Sequence, residues 1–318
     1  MRSKSIPTVL AAGILSVGFA LSASAGDGKI PEKLSIASGV SGGNQYIMAV
    51  GISKILGDKG AKVNVETGGA VGNVMAVSKG DVEIGMTFDF VPAMGRAGEK
   101  PFPAKVTNVR GVAGFPPSFT HVLVAQDSGI KTFADLKGKK FATQRVGTGS
   151  QYAFAKLLLA HGLTEKDLQL FVGGQSYAVN NIKDRNVVGM TATTAFPGSK
   201  ITELMTTRRM RFLEVGDEAY AKIKEINPGL IRFTLPAGTY RDQDADLPGI
   251  GTGTIFVARD NMPEEEAYWL SKTMAENVAA LRKVHGSLKK MTKENVAAFG
   301  GLEPHPGSLR YFKEAGLR

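Results

Sequence analysis

Leu34-Ser35-Ile36-Ala37-Ser38-Gly39-Val40-Ser41-Gly42-Gly43-Asn44-Gln45-Tyr46 reads as a short apolar strand, a glycine-rich turn, and the opening of a helix that runs on over 45–59. The same order returns downstream. Thr67-Gly68-Gly69-Ala70-Val71-Gly72-Asn73 follows a strand-like run at 62–66, and Thr143-Gln144-Arg145-Val146-Gly147-Thr148-Gly149-Ser150-Gln151-Tyr152 joins a run at 140–143 to a helical stretch at 150–161. Further strand-like runs at 83–86, 108–114, 121–125, 168–172, 187–191, 211–215 and 254–258 alternate with helical patterns at 177–185 and 199–206. Such alternation predicts an α/β fold of largely parallel sheets, and two open sheets accommodate this many strands better than one. After 258 the pattern is helical only, over 263–284, 292–299 and 308–314, with Pro263 and three glutamates at 264–266 suited to a helix start. A tail of this kind packs back on an earlier domain.

The chain has 318 residues, enough for two domains with separate cores. Arg2 and Lys4, an apolar run from 9 to 21 and Ala23-Ser24-Ala25 follow the charged, apolar, small-x-small order of a secretory signal peptide cleaved near Ala25. Loss of Arg2 and Lys4 with the leader takes the formal charge from +10 to +8. The basic residues are scattered and not interleaved with aromatics, which argues against nucleic acid. With no cysteine there is no disulfide and no lipid anchor on an N-terminal Cys. The four histidines, at 121, 161, 285 and 305, lack metal-ligand spacing, and no G-x-S-x-G elbow is present. The expectation is a binding protein without enzyme activity, metal or cofactor. His121 is read as structural, and Asp89, following Phe88, as a helix N-cap.

In open α/β sheets ligands sit beyond the carboxyl ends of the strands, where glycine turns and helix N-termini present backbone N–H groups. Neither the G-x-G-x-x-G nor the Walker spacing occurs, so the loops point away from nucleotides. Ser41, Asn44 and Tyr46 supply donors at the rim of the first loop. Arg145 is a candidate partner for an anion, and Phe196, in Ala192-Thr193-Thr194-Ala195-Phe196-Pro197-Gly198, is a candidate wall against an apolar part of the ligand, with Pro197 opening a helix.

Six ordered stretches carry a resemblance to a known family. They are Ser38 to Tyr46; Glu66-Thr67-Gly68-Gly69 with Asn73; Gly80-Asp81-Val82-Glu83-Ile84-Gly85; the run from Asp127-Ser128-Gly129 to Lys139; Leu235-Pro236-Ala237-Gly238-Thr239-Tyr240; and His305-Pro306-Gly307-Ser308 with 311–317. Through these, nearly the whole chain beyond the leader resembles the TRAP-associated extracytoplasmic immunogenic (TAXI) solute receptors. The resemblance implies a two-lobed type II periplasmic binding protein fold. It also implies that a monomer in the periplasm captures a small organic anion, glutamate-like or dicarboxylate, and passes it to the permease subunits of an ion-gradient-driven TRAP transporter. Family contacts fall on Ser41, Gly42, Tyr46, Asn73, Thr148 and Ser150. The boundaries expected are 1–25 for the signal peptide, 26–121 plus 251–318 for lobe I and 122–250 for lobe II, with crossings near 121–125 and 251–258.

Two departures bear on specificity. Where such receptors often read Gly-Ala-Pro-Gly-Ser-Gly, this chain has Gln144-Arg145-Val146-Gly147-Thr148-Gly149, and Thr87-Phe88-Asp89-Phe90 adds bulk at the cleft edge. The alternative on the same fold is a receptor for an ABC importer of the sulfonate or thiamine-precursor type. An exported enzyme and a receptor that feeds a sensor kinase are further rivals.

Overall fold

The computed structural model describes residues 28–39, 41, 44–146 and 148–318. The signal peptide and Gly42 therefore lie outside the described residues. In chain order the first half runs β1 (Leu34–Ala37), α1 (Asn44–Asp58), β2 (Val63–Glu66), α2 (Ala70–Lys79), β3 (Ile84–Phe88), α3 (Val91–Ala97), β4 (Val109–Gly114), β5 (Ser118–Ala125), β6 (Lys140–Gln144) and α4 (Gly149–Ala160). It continues with β7 (Gln169–Gly173), α5 (Gln175–Lys183), β8 (Gly189–Thr194), α6 (Ser199–Thr207), β9 (Met210–Phe212), α7 (Asp217–Ile226), β10 (Ile231–Leu235), β11 (Leu247–Thr252) and β12 (Thr254–Arg259). The tail is α8 (Glu264–Glu276), α9 (Val278–Leu281), α10 (Lys293–Val296) and α11 (Pro306–Glu314).

The strands form two sheets, one ordered β2-β1-β3-β12-β4 and one ordered β10-β11-β5-β8-β6-β7 with β9 paired to β5. Each sheet with its flanking helices makes one lobe. Both sheets are mixed. Strands β2-β1-β3 and β7-β6-β8 run parallel, as expected of strands joined through helices, whereas β12 is antiparallel to β3 and β4, and β5 is antiparallel to β8 and β11. The antiparallel members include the strands that bring the chain across: β4 hands over to β5 through 115–117, and β11 to β12 through Gly253. The first crossing therefore precedes His121, which lies inside β5 and not at a boundary. Strands at 231–235 and 247–252 escape a pattern search because glycine, proline and polar residues interrupt their apolar runs.

Local sequence explains the elements that frame the cleft. All four residues of β1 are buried, as suits a strand covered on both faces. In α4 the buried residues Gly149, Ala153, Phe154, Leu157, Leu158 and Ala160 recur at helical spacing. Helix α2 mixes valine, glycine and asparagine, poor helix formers, with alanine, methionine and lysine, and its glycine-rich start reads as loop. It is stabilised by packing on β3, where a side chain at Gly85 would come within 3.0 Å of Asn73 and Val77, and it ends at Gly80 with φ of 84°. The tail packs on the first lobe, with α8, α10 and α11 against β4.

Candidate functional site

The loops that leave β2, β3 and β6 converge between the two sheets and enclose a cavity of about 560 Å³, a size usual for a small-molecule site. Gly69 to Gly72 and the pair Phe88 and Phe90 come from the first lobe. Val146, Thr148, Gly149 and Tyr152 come from the second, and Lys100 and Pro101 complete the rim. The lining is mostly apolar, with Val71, Val91 and Met94 added to the aromatic rings.

An aromatic stack runs through this region from one lobe to the other. Phe88 and Phe90 lie 5.6 Å apart at 3°, and Phe90 and Tyr152 lie 4.5 Å apart at 7°. Gly149 permits the approach, since a side chain there would meet the Phe88 ring at 3.3 Å. Polar contacts bridge the same side of the cleft. The Tyr152 hydroxyl donates to Glu99 Oε2 at 3.1 Å and accepts from Asn227 Nδ2 at 2.8 Å, while that amide also donates to the Phe90 carbonyl at 3.1 Å. Lys156, one turn beyond Tyr152, pairs with Glu99. Burial pushes the Tyr152 phenol above its ordinary range, so it stays protonated and keeps donating.

Of the candidate ligand contacts Ser41, Tyr46, Asn73, Arg145, Thr148, Ser150 and Phe196, Thr148 alone lines this cavity. It caps α4, accepting from Gln151 N at 3.3 Å while donating to the Arg145 carbonyl at 2.7 Å. Asn73 is buried and works as a staple. Its Nδ2 donates to the carbonyls of Ser38 and Met86, each at 2.7 Å, and its Oδ1 accepts from Gly69 N at 3.2 Å. Both amide protons are taken, which leaves no side-chain donor for a ligand. Ser150 ties α4 to β8, its hydroxyl accepting from Thr193 N at 2.8 Å and donating to the Thr193 carbonyl at 3.4 Å. Arg145 and Ser41 are exposed, and neither they nor the half-buried Tyr46 on the first turn of α1 line the cavity. Phe196 packs on Phe233 at 5.2 Å, with Lys290 Nζ of the first lobe 5.1 Å from its ring. The Phe196–Pro197 bond is cis, and α6 starts only at Ser199, so Pro197 does not open the helix.

Val71, Gln151 and Tyr152 belong to loops that the sequence placed at the cleft but were not named as contacts, and Met94 and Lys100 carried no signal in the sequence. Phe88 and Phe90 were expected at the cleft edge, through the departure of Thr87-Phe88-Asp89-Phe90 from the pattern of the receptors this chain resembles.

Two buried titratable groups hold the framework. Asp89 is not an N-cap: Phe90 occupies that position of α3, and the Asp89 carboxyl turns to the chain crossing. There it accepts from the Thr252 hydroxyl on one oxygen and from Gly253 N at 2.6 Å on the other. Burial pushes its pKa up to about 7 against these two bonds, which favour the carboxylate. His121 is wholly buried in β5. Its Nδ1 faces the Ala192 carbonyl at 3.1 Å and therefore carries the proton, leaving Nε2 to accept from the Tyr240 hydroxyl at 2.8 Å. Tyr240 in turn accepts from Gly198 N at 2.7 Å. Burial pulls the histidine down to about 4, so it is neutral at physiological pH, in keeping with a structural role.

Comparison with solved structures places the fold. The periplasmic sulfonate-binding protein SsuA of a sulfonate ABC transporter from Methylobacillus flagellatus is 18% identical over 92% of this chain and 96% of its own, with a TM-score of 0.50. A protein from Xanthomonas citri bound to ATP is 12% identical over 90% of this chain and 97% of its own, with a TM-score of 0.53. The architecture is thus that of periplasmic solute-binding proteins. The match of residues 36–316 to a family model agrees with this architecture, and the chain belongs to the NMT1-like family.

Proposed function

We propose that the protein is the periplasmic solute-binding subunit of a bacterial uptake system, exported by its leader, which captures a small organic anion by lobe closure and delivers it to a membrane permease. The observation that carries this reading is the cavity whose walls come from βα loops of both lobes, so that a solute touches both only when they close. A ligand shifts such an equilibrium through contacts made better in the closed state. The crossings at 115–117 and Gly253 are the points about which the lobes would turn. Nothing in this role requires bond making or breaking.

For the transporter, the sulfonate-binding relative in fold supports partnership with an ABC importer. The six stretches resembling TAXI receptors support the second reading, a TRAP permease driven by an ion gradient. Reconstituted uptake separates the two, since an ABC importer requires ATP and a TRAP permease loses transport when the gradient is collapsed. The receptor reading itself is tested by a thermal-shift screen of refolded, ligand-stripped protein against carboxylates, sulfonates, amino acids and sugars. A true ligand at 100 times its dissociation constant stabilises the fold by about 2.7 kcal/mol, a rise of a few degrees in Tm. Silence across the whole panel would sink the transport role.

A further inference from the structure

The cavity is poorly matched to the dianionic solutes implied by the family resemblance. Among its described lining residues Lys100 is the only cation, and it lies at the exposed rim. The polar side chains within are already committed. Gln151 Nε2 donates to both oxygens of Glu165 at 2.9 Å, Thr148 donates to the Arg145 carbonyl, and Tyr152 donates to Glu99. Lys156 is neutralised by Glu99, and Arg145 does not line the space. What remains for a ligand is one cation, the first-turn backbone amides of α2, and a body of rings and aliphatic side chains formed by Phe88, Phe90, Val71 and Met94. A second carboxylate buried here would face apolar groups without a donor, a penalty that prevents tight binding.

Resting on the reading of this cavity as the solute site, we propose that the solute is an organic acid with a single anionic head, carboxylate or sulfonate, and an apolar body that packs on Phe88. The head sits toward Lys100 and the α2 amides, and the body fills the space between the lobes.

The test is calorimetric titration of the ligand-stripped mature chain with acetate, butanoate, hexanoate and phenylacetate, with butane- and hexanesulfonate, with hexanamide as a neutral probe, and with succinate and glutamate. Affinity should climb about fourfold per added methylene while the body still fits. Hexanoate or hexanesulfonate should exceed succinate and glutamate at least tenfold, the stronger of the two tells the head groups apart, and hexanamide should bind more weakly than hexanoate. Phe88→Ala should flatten the chain-length series, with Phe88→Leu restoring part of it if the alanine variant folds poorly. Lys100→Ala should reduce the advantage of hexanoate over hexanamide, the α2 amides keeping the remainder. Succinate or glutamate binding while the monoanions do not, or a flat chain-length series, overturns the apolar-monoanion assignment and leaves the receptor role standing. No binding by any acid overturns both.

Discussion

Asp89 in the first lobe and His121 in the second are both sealed from solvent, yet their surroundings have opposite chemistry. Asp89 meets only donors, the Thr252 hydroxyl and the Gly253 amide, so its bonds favour the charged form that burial penalises. His121 meets a carbonyl on one nitrogen, which favours the charged ring, and on the other a phenol that can donate only to the neutral ring, and burial decides for the neutral form. The first arrangement pins the β11–β12 crossing to the loop that carries Phe88 and Phe90. The second pins the loop around Phe196 and Gly198 to the middle of a sheet. One buried group thus sits at the chain crossing among donors that oppose the effect of burial, and the other sits neutral inside a sheet.

The largest effect that would sharpen this contrast is Asp89→Ala. It strips acceptors from two buried donors and leaves a void against Gly300, and should lower unfolding free energy by about 3 kcal/mol in denaturant titration. A loss below about 1 kcal/mol would mean that the crossing is not held by this carboxyl. Tyr240→Phe, which orphans the Gly198 amide and the acceptor nitrogen of His121, should cost about 1–2 kcal/mol by the same assay.

The pH responses should run in opposite directions. Because the folded pKa of Asp89 is raised to about 7, the folded state retains a proton that the unfolded chain releases near pH 4, so this group's stabilisation declines as pH rises from about 4 to about 7. Because that of His121 is lowered to about 4, the unfolded chain binds the extra proton between about 4 and 6.5, and its contribution grows as pH rises through that window. The Tm of Asp89→Asn relative to the parent protein should therefore climb with pH, and that of His121→Gln should fall. Parallel curves for either variant would break the comparison. The smallest effect expected is that of Arg145→Ala. Exposed and outside the cavity, it should change stability by less than about 0.5 kcal/mol and ligand affinity by less than about twofold.

The strands and glycine loops were legible because their signals are local. Leu34–Ala37 is apolar at three of its four positions, and the loop before α4 carries its own cap, Thr148. Helix α2 was not legible, since its valine, glycine and asparagine weaken the local helical signal and packing on β3 supports the segment. The roles of Asn73 and Ser150 were also hidden. Both are polar residues in glycine-rich loops, and whether such a side chain faces a ligand or staples the backbone depends on carbonyls and amides 13 to 43 residues away.

From sequence alone came the α/β alternation, the two-sheet organisation, the loops that meet at the cleft and the bulk of Phe88 and Phe90, because each is written in the periodicity or composition of a few neighbouring residues. The tertiary structure decided the crossing points, the mixed strand directions, the staple roles of Asn73 and Ser150, the burial of Asp89 and the apolar character of the cavity. Each of these depends on which distant groups share a low-dielectric space, and that proximity exists only once the chain has folded.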